Sequence, residues 1–433
     1  MTFHNWKLLI SAVLFTATIS TTNTASAFIA GTRAPGMGST GIAYPQDAFA
    51  GAYNPAGILE VEDRFDLSAS SIFNRGTAII QFDRTPANED KEKINGKFNP
   101  FNHLASFDFG LGINQTFCTN ICGYSWEWAV GLVAYNWERQ KTSYSKRVPL
   151  LTKEKKSKLG MEYIHDVVSP IISLRVTDCH TIGFSFDYHI QRLSIKGLEQ
   201  FRHENHSYSP SHVTNNGDSY SRGFGATIGW AWEATDGLTI GAIYRSKTKM
   251  SRFHKYKGFF AQGGAIDSPA QWGVGAAYQF LPCATVTADI EWIEWDQIKA
   301  LHNPLLQKDK KIGLAGTDHG PGFGFNNQVV YRLGIDYAIN QFWTVRAGYQ
   351  YANTVTKKSQ TMLNLLFCKT SEHLASFGVS YMLTPCNEIS FFYAHSFENE
   401  VNGKHAIPVE CGPGKVDLTE SKDFVGLSWA FIY

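Results

Sequence analysis

The stretch Thr181-Ile182-Gly183-Phe184-Ser185-Phe186-Asp187-Tyr188-His189-Ile190-Gln191 decides the fold. Ile182, Phe184, Phe186, Tyr188 and Ile190 fall on one face of an extended chain, and Gly183, Ser185, Asp187, His189 and Gln191 on the other. Period two over about ten residues is a β-strand pattern. A soluble sandwich also alternates, but its strands average about five or six residues, and its outward face is the polar one. Here the apolar face is continuous and aromatic, while the polar face is small and glycine-rich. That division fits lipid outside and a confined lumen inside.

The same split recurs on both sides of this stretch. Ala105, Phe107, Phe109, Leu111 and Ile113 alternate with Ser106, Asp108, Gly110, Gly112 and Asn114. Tyr331, Leu333, Ile335 and Tyr337 alternate with Arg332, Gly334 and Asp336, and Trp343, Val345, Ala347, Tyr349 and Tyr351 with Thr344, Arg346, Gly348 and Gln350. Short connections at 178–180, 236–237, 282–283, 340–341 and 385–386 alternate with longer polar ones at about 140–163, 197–220, 251–267, 299–326, 353–372 and 399–420. Outer-membrane barrels have short periplasmic turns and long external loops, so the asymmetry orients the chain. The last strand ends Val425, Leu427, Trp429, Phe431, Tyr433 on one face, a terminal pattern of the kind barrel assembly machinery reads. The expected fold is all-β: a transmembrane antiparallel β-barrel of about fourteen strands, over 64–433, in the outer membrane of a bacterium.

Composition agrees. Thirty Phe, 19 Tyr, 11 Trp and 38 Gly stand in 433 residues, suited to β-structure with aromatic girdles. No apolar run approaches the roughly 18 residues of a membrane helix. With 39 basic and 38 acidic residues, nothing favours nucleic acid as a partner. Residues 1–27 read as a secretory signal peptide: Lys7 precedes the apolar run Leu8–Phe15, and Ala25-Ser26-Ala27 forms a small-x-small cleavage site before Phe28. Residues 28–63 break the strand pattern with Gly31, Pro35, Gly36, Gly38, Gly41, Pro45, Gly51, Pro55 and Gly57, yet carry Met37, Ile42, Phe49, Tyr53 and Ile58. A compact plug inside the barrel is the economical reading.

At this segment the chain resembles the FadL family, outer-membrane transporters of long-chain fatty acids and other hydrophobic compounds. The resemblance rests on Gly36-Met37-Gly38-Ser39-Thr40-Gly41-Ile42-Ala43 and on Asp47-Ala48-Phe49-Ala50-Gly51-Ala52-Tyr53-Asn54-Pro55-Ala56-Gly57. It continues in Ser169-Pro170-Ile171-Ile172-Ser173-Leu174-Arg175, Tyr244-Arg245-Ser246, Trp292-Ile293-Glu294-Trp295 and Trp343–Tyr349. It implies a fourteen-strand barrel plugged by an N-terminal hatch, with Phe28, Asn54, Pro55, Ala56 and Gly57 in the gating segment. It also implies an apolar pocket above the hatch and sideways exit into membrane lipid through a kink in the third strand, about Trp126 to Trp137. The implied cargo is a long-chain fatty acid or another hydrophobic small molecule, moved passively without a cofactor.

Among candidate ligand-binding residues, Arg175, Arg245, Arg332 and Arg346 lie on the inward face, where a guanidinium holds a carboxylate in bidentate fashion. The alternative is that they balance the inward acids Asp108, Asp187, Asp289, Glu291 and Asp336. Phe253, Tyr256, Phe259 and Phe260 are the external-loop residues suited to receive an acyl chain. His203, Glu204, His206 and His212 lack the spacing of a metal site, and no nucleophile–base arrangement points to an enzyme. Cys118, Cys122, Cys179, Cys283 and Cys386 sit in or beside the short turns, Cys368 and Cys411 in long loops. A Cys118–Cys122 bond, bonds between turns and bonds to a disulfide partner in the envelope are all open in an exported chain. A general diffusion porin and a disulfide-linked structural or adhesive surface protein are the rival functions.

Overall fold

The alternation becomes a closed wall in the structure, a computed structural model that describes residues 30–83, 95–102, 105–121, 124–153, 156–305, 312–408 and 411–433. The strands are β1 (Arg64–Phe82), β2 (Gly96–Phe98), β3 (Ser106–Ile121), β4 (Tyr124–Ser143), β5 (Gly160–Thr177), β6 (His180–Lys196), β7 (Ser219–Thr235) and β8 (Leu238–Arg245). They continue as β9 (Gln271–Leu281), β10 (Ala284–Ile293), β11 (Gln328–Ala338), β12 (Trp343–Ala352), β13 (His373–Thr384), β14 (Asn387–Val401) and β15 (Gly414–Ile432). Each barrel strand pairs antiparallel with its sequence neighbour, and β15 closes on β1 from Arg64↔Ile432 to Phe82↔Gly414. Fourteen strands form the barrel, and β2 is an extra short strand beside β1. Closure removes the sheet edges, the requirement for β-structure in hydrocarbon.

The faces divide as the alternation predicts. Ile182, Phe184, Phe186, Tyr331, Leu333, Ile335, Leu427, Trp429 and Phe431 are exposed on the outer wall, and Ser185, Asp187, His189, Gln191, Arg332, Asp336 and Arg346 are buried within. The short turns collect at one rim and the long loops at the other. Among the described residues no helix is long and apolar enough to cross a membrane.

The wall is irregular at two neighbouring strands. In β4, the third barrel-forming strand, the register shifts between Asn136 and Glu138 against β5. Trp137 is the extra residue of a bulge, and a bulge re-aims the side chains after it. Trp137 and Glu138 consequently both face the lumen cavity. Next to it, the β5–β6 pairs run to Val168↔Tyr188 and resume at Ile171↔Ser185. Pro170, which has no N–H for the ladder, lies in that gap.

Candidate functional site

The lumen is occupied from the short-turn side by residues 30–63. They fold as a 3₁₀ turn (Pro35–Met37), one helical turn (Ala50–Tyr53) and a second 3₁₀ stretch (Pro55–Glu60). Asn54 organises this segment. Its Oδ1 caps Pro55–Glu60 by accepting from Ala56 N at 3.0 Å, and its Nδ2 donates to Ile42 O at 2.7 Å and to Trp230 O of the wall at 3.1 Å. Pro55 fills the first turn, where a missing N–H costs nothing. Ala56 and Gly57 follow within it, all buried.

The glycine-rich inner face has its explanation here. Backbone of the segment lies directly on wall glycines: Gly36 on Gly378, Met37 and Gly38 on Gly334 and Gly348, Ile42 on Gly241 and Gly275, Ala48 on Gly112, and Pro55 on Gly183. A Cβ on Gly112 would stand 2.8 Å from the carbonyl carbon of Ala48, and one on Gly36 2.8 Å from Gly378 Cα. Any side chain at these positions meets backbone that cannot swing aside.

Polar groups tie the same segment to the wall around the barrel. Arg33 forms a bidentate pair with Glu388, its Nε donating at 2.8 Å. Asp289 accepts from Gly41 N (2.8 Å) and Ile42 N (3.2 Å), Asp66 from Ala48 N (2.9 Å) and Ser376 from Gly38 N (2.8 Å). On the β4–β5 side Phe49, Tyr53 and Ile58 pack with Ala129, Val133, Tyr135, Val167 and Ile171.

Asp47 is the buried acid of the segment. Burial and, after it, the Asp66 carboxylate push its carboxyl up to about 6, against the pull of Arg64 and Arg33. An acid whose folded pKa lies above its unfolded value stabilises the folded form at low pH and loses that contribution as pH rises through the folded pKa. Protease cleavage within residues 30–60 is therefore expected to be slower at pH 4 than at pH 7, with Asp47→Asn flattening the difference. Equal pH dependence in the variant would assign it to another group.

The opposite end of the lumen is closed by the long loops. Residues from 144–151, 253–266, 298–305, 323–325 and 355–368 join one buried apolar cluster. In it Phe323 meets Phe367 at 4.6 Å between ring centroids and Phe259 meets Phe260 at 4.9 Å, both edge to face. The β12–β13 loop crosses the mouth to β4. Its carbonyls at Leu365, Leu366 and Phe367 accept from Tyr144 Oη (2.8 Å), Thr142 Oγ1 (2.7 Å) and Gln140 Nε2. Phe259 and Phe260, expected as an external landing place for an acyl chain, are 2% and 1% exposed. They build the cap instead of lining an open groove, because aromatic side chains from several loops cover one another.

Between cap and segment lies a cavity of about 110 Å³. Its aromatic wall includes Trp137, Trp295 and Phe424, and its charged groups include Glu138, Arg245, Glu291, Arg332, Lys369, Glu372 and Lys422. The resemblance implies an apolar pocket above the hatch; the cavity found here has a mixed lining. Most charges are matched: Arg332 to Glu291 at 2.7 Å, Lys369 to Glu138 at 3.0 Å, and Lys422 to Glu420 at 3.1 Å. Arg245 stands in the field of Asp187 and Glu291 and donates to neutral groups as well. Its guanidinium donates to Tyr135 Oη and to Ala52 O of the N-terminal segment, each at 2.9 Å, and lies 4.6 Å over the Trp137 ring.

The four arginines thus separate. Arg245 and Arg332 line the cavity. Arg346 lies nearer the short turns, held by Asp336 (2.7 Å), Gln46 (2.8 Å) and Ser380 (2.7 Å). Arg175 is at the rim, bound to Glu127 (2.6 Å) and to Glu60 (3.0 Å). Trp137, Glu138, Lys369 and Lys422 escaped the sequence reading. Lys422 had a signal, since it falls on the inward phase of the last strand; Lys369 had none, being in a loop. Phe28 and Cys122 lie outside the described residues. Cys118, Cys179 and Cys386 are exposed free thiols and Cys283 a half-buried one, while burial pushes the Cys368 thiol well up.

A closed fourteen-strand antiparallel barrel whose lumen holds the N-terminal segment defines a transmembrane β-barrel protein. Residues 16–410 match the family of outer membrane transport proteins described as OMPP1/FadL/TodX, and the chain belongs to that family, whose members are outer-membrane β-barrels. Among solved structures it resembles a Pseudomonas aeruginosa FadL homologue, with 16% identity, TM-score 0.65, and 95% of this chain and 100% of that one covered. It also resembles the P. putida toluene transporter TodX (16%, TM-score 0.63, 93% and 98%) and the Ralstonia pickettii toluene transporter TbuX (17%, 0.60, 93% and 98%). At such identities the likeness is one of fold. No curated protein matches the chain by sequence.

Proposed function

We propose that this protein takes up long-chain fatty acids or other hydrophobic compounds passively, with residues 30–63 as a movable hatch and Arg245 as the carboxylate acceptor. The observation that carries the reading is that the guanidinium of Arg245 reaches both the cavity and the hatch, through Ala52 O. A carboxylate entering the cavity competes for it with a neutral carbonyl, and charge-assisted pairs are roughly twice as strong as neutral ones. Binding of the acid therefore loosens the hatch from the inside.

The exit follows from the wall. The Trp137 bulge and the Pro170 ladder gap lie beside the hatch cluster and interrupt two adjacent ladders locally, which is where lateral release into lipid would begin. Each CH₂ moved into hydrocarbon gains about 0.8 kcal/mol, so delivery needs no energy source. A cavity of about 110 Å³ is smaller than the roughly 150 Å³ engineered cavity that takes benzene. A long acyl chain therefore fits only once cap or hatch has moved. Outer-membrane lipid is the recipient, and the barrel assembly machinery reads the terminal strand ending at Tyr433.

The test pairs ligands that share a chain and differ in head group. Arg245→Ala removes a charge-assisted contact of roughly 1.5–3 kcal/mol, so affinity for the fatty acid is expected to fall about ten- to a hundredfold while its methyl ester is little changed. Arg346→Ala is expected to leave both ligands alike. Equal losses for acid and ester in Arg245→Ala would end the carboxylate assignment and favour a neutral hydrocarbon.

A further inference from the structure

Three of the short turns end in a cysteine placed the same way. Cys179, Cys283 and Cys386 each stand immediately before the strand that follows: β6 at His180, β10 at Ala284 and β14 at Asn387. In each, the carbonyl of the cysteine accepts an amide from the strand beyond: Glu233 N at 2.9 Å, Ala338 N at 2.8 Å and Ile432 N at 2.8 Å. The backbone is thereby fixed, and the side chains stand at the rim with Cys179 and Cys386 exposed and Cys283 half-buried. Cys118 is a fourth exposed thiol near the same rim.

These three cannot bond to one another. Successive turns are four strands apart and the last is six from the first around the closed wall, so the smallest separation is about 20 Å of wall at roughly 4.8 Å per strand, whereas a disulfide needs Cα atoms within about 7 Å. The short-turn rim faces the periplasm, where thiols oxidise. Each thiol thus stays reduced or finds a sulfur on another molecule. Thiols fixed at equivalent turn positions and spread over the rim suit a partner that is itself a protein with several cysteines, touching the barrel at more than one point.

We infer that the periplasmic rim is a covalent docking surface, joined through Cys179, Cys283 and Cys386 to a cysteine-rich envelope protein. The bond forms by thiol–disulfide exchange. A rim thiolate attacks a disulfide of the partner, that S–S bond breaks, and the departing partner sulfur leaves as a thiolate that takes up the rim thiol's proton. One disulfide is consumed and one formed, so no further oxidant is needed. This link is independent of the transport reading and stands or falls without it.

The test uses the full-length protein in native envelopes, isolated in the presence of an alkylating agent and digested without reduction. Peptides containing Cys179, Cys283 or Cys386 are expected in disulfide linkage to peptides foreign to this chain. On non-reducing gels the protein is expected in high-mass species that collapse on reduction, and that vanish in the Cys179→Ser/Cys283→Ser/Cys386→Ser variant while the barrel keeps its heat-modifiable mobility. Alkylated rim cysteines, adducts of a low-mass thiol, or links to a second copy of this chain would each overturn the inference. Normal fatty-acid uptake by the triple variant is expected, which keeps this result separate from that of Arg245→Ala.

Discussion

Removing residues 30–60 is expected to leave a folded barrel whose conductance rises only in part, with the full rise needing release of the loop cap as well. The barrel should survive because its wall closes through β1 and β15 without the segment. The cap remains, however, because its apolar cluster draws on the long loops and not on residues 30–63. Gln140, Thr142 and Tyr144 hold the β12–β13 loop across the mouth. Replacing them together (Gln140→Ala, Thr142→Val, Tyr144→Phe) removes three hydrogen bonds of about 1 kcal/mol each, roughly a hundredfold shift in the fraction of open caps. Single-channel recording of the deletion, the triple substitution and their combination distinguishes the barriers. Full porin-like conductance from the deletion alone would show that the cap is no barrier. Conductance unchanged in the combination would show that neither element blocks the lumen.

The second large effect is expected at the glycine seat. Gly348→Leu places a side chain against the amide of Gly38 and the carbonyl carbon of Met37. Overpacking costs roughly 1–3 kcal/mol and more where neighbours cannot repack; here the neighbours are backbone, so the upper end applies. The relief available is for the segment to lift off the wall. Protease cleavage within residues 30–60 is then expected to accelerate about a hundredfold, in line with a loss near 3 kcal/mol, while the barrel keeps its folded mobility on gels. Gly131→Ala is the control, since its methyl would meet nothing closer than Ile113 O at 3.2 Å. Cleavage at the wild-type rate in Gly348→Leu would mean that the contact with the wall does not hold the segment in place.

The arginines show where reading by pattern stops. Alternation placed Arg175, Arg245, Arg332 and Arg346 on the inward face, because the phase of a strand is a local property. Height along the barrel depends on register and tilt, which pair each strand with its neighbour. That height puts Arg175 at the rim beside Glu60 and Arg346 against Gln46, and leaves Arg245 at the cavity. The Trp137 bulge is the same kind of decision: it is a matter of which residue of β4 meets which of β5, and only the pairing of the two strands fixes it.

What the sequence determined by itself were properties carried by neighbours in the chain: period-two faces, turn positions, the short and long rims, and the aromatic terminal strand. These settled an antiparallel barrel in the outer membrane. The tertiary structure alone decided what the inner face is for. Gly183, Gly334 and Gly348 read only as small residues until Pro55, Met37 and Gly38 lie on them, a contact between segments over a hundred residues apart. Phe259 and Phe260 looked like an external landing place until loop aromatics covered them. Loops have no period to read, and their packing is fixed only when the closed wall brings distant segments over the same mouth.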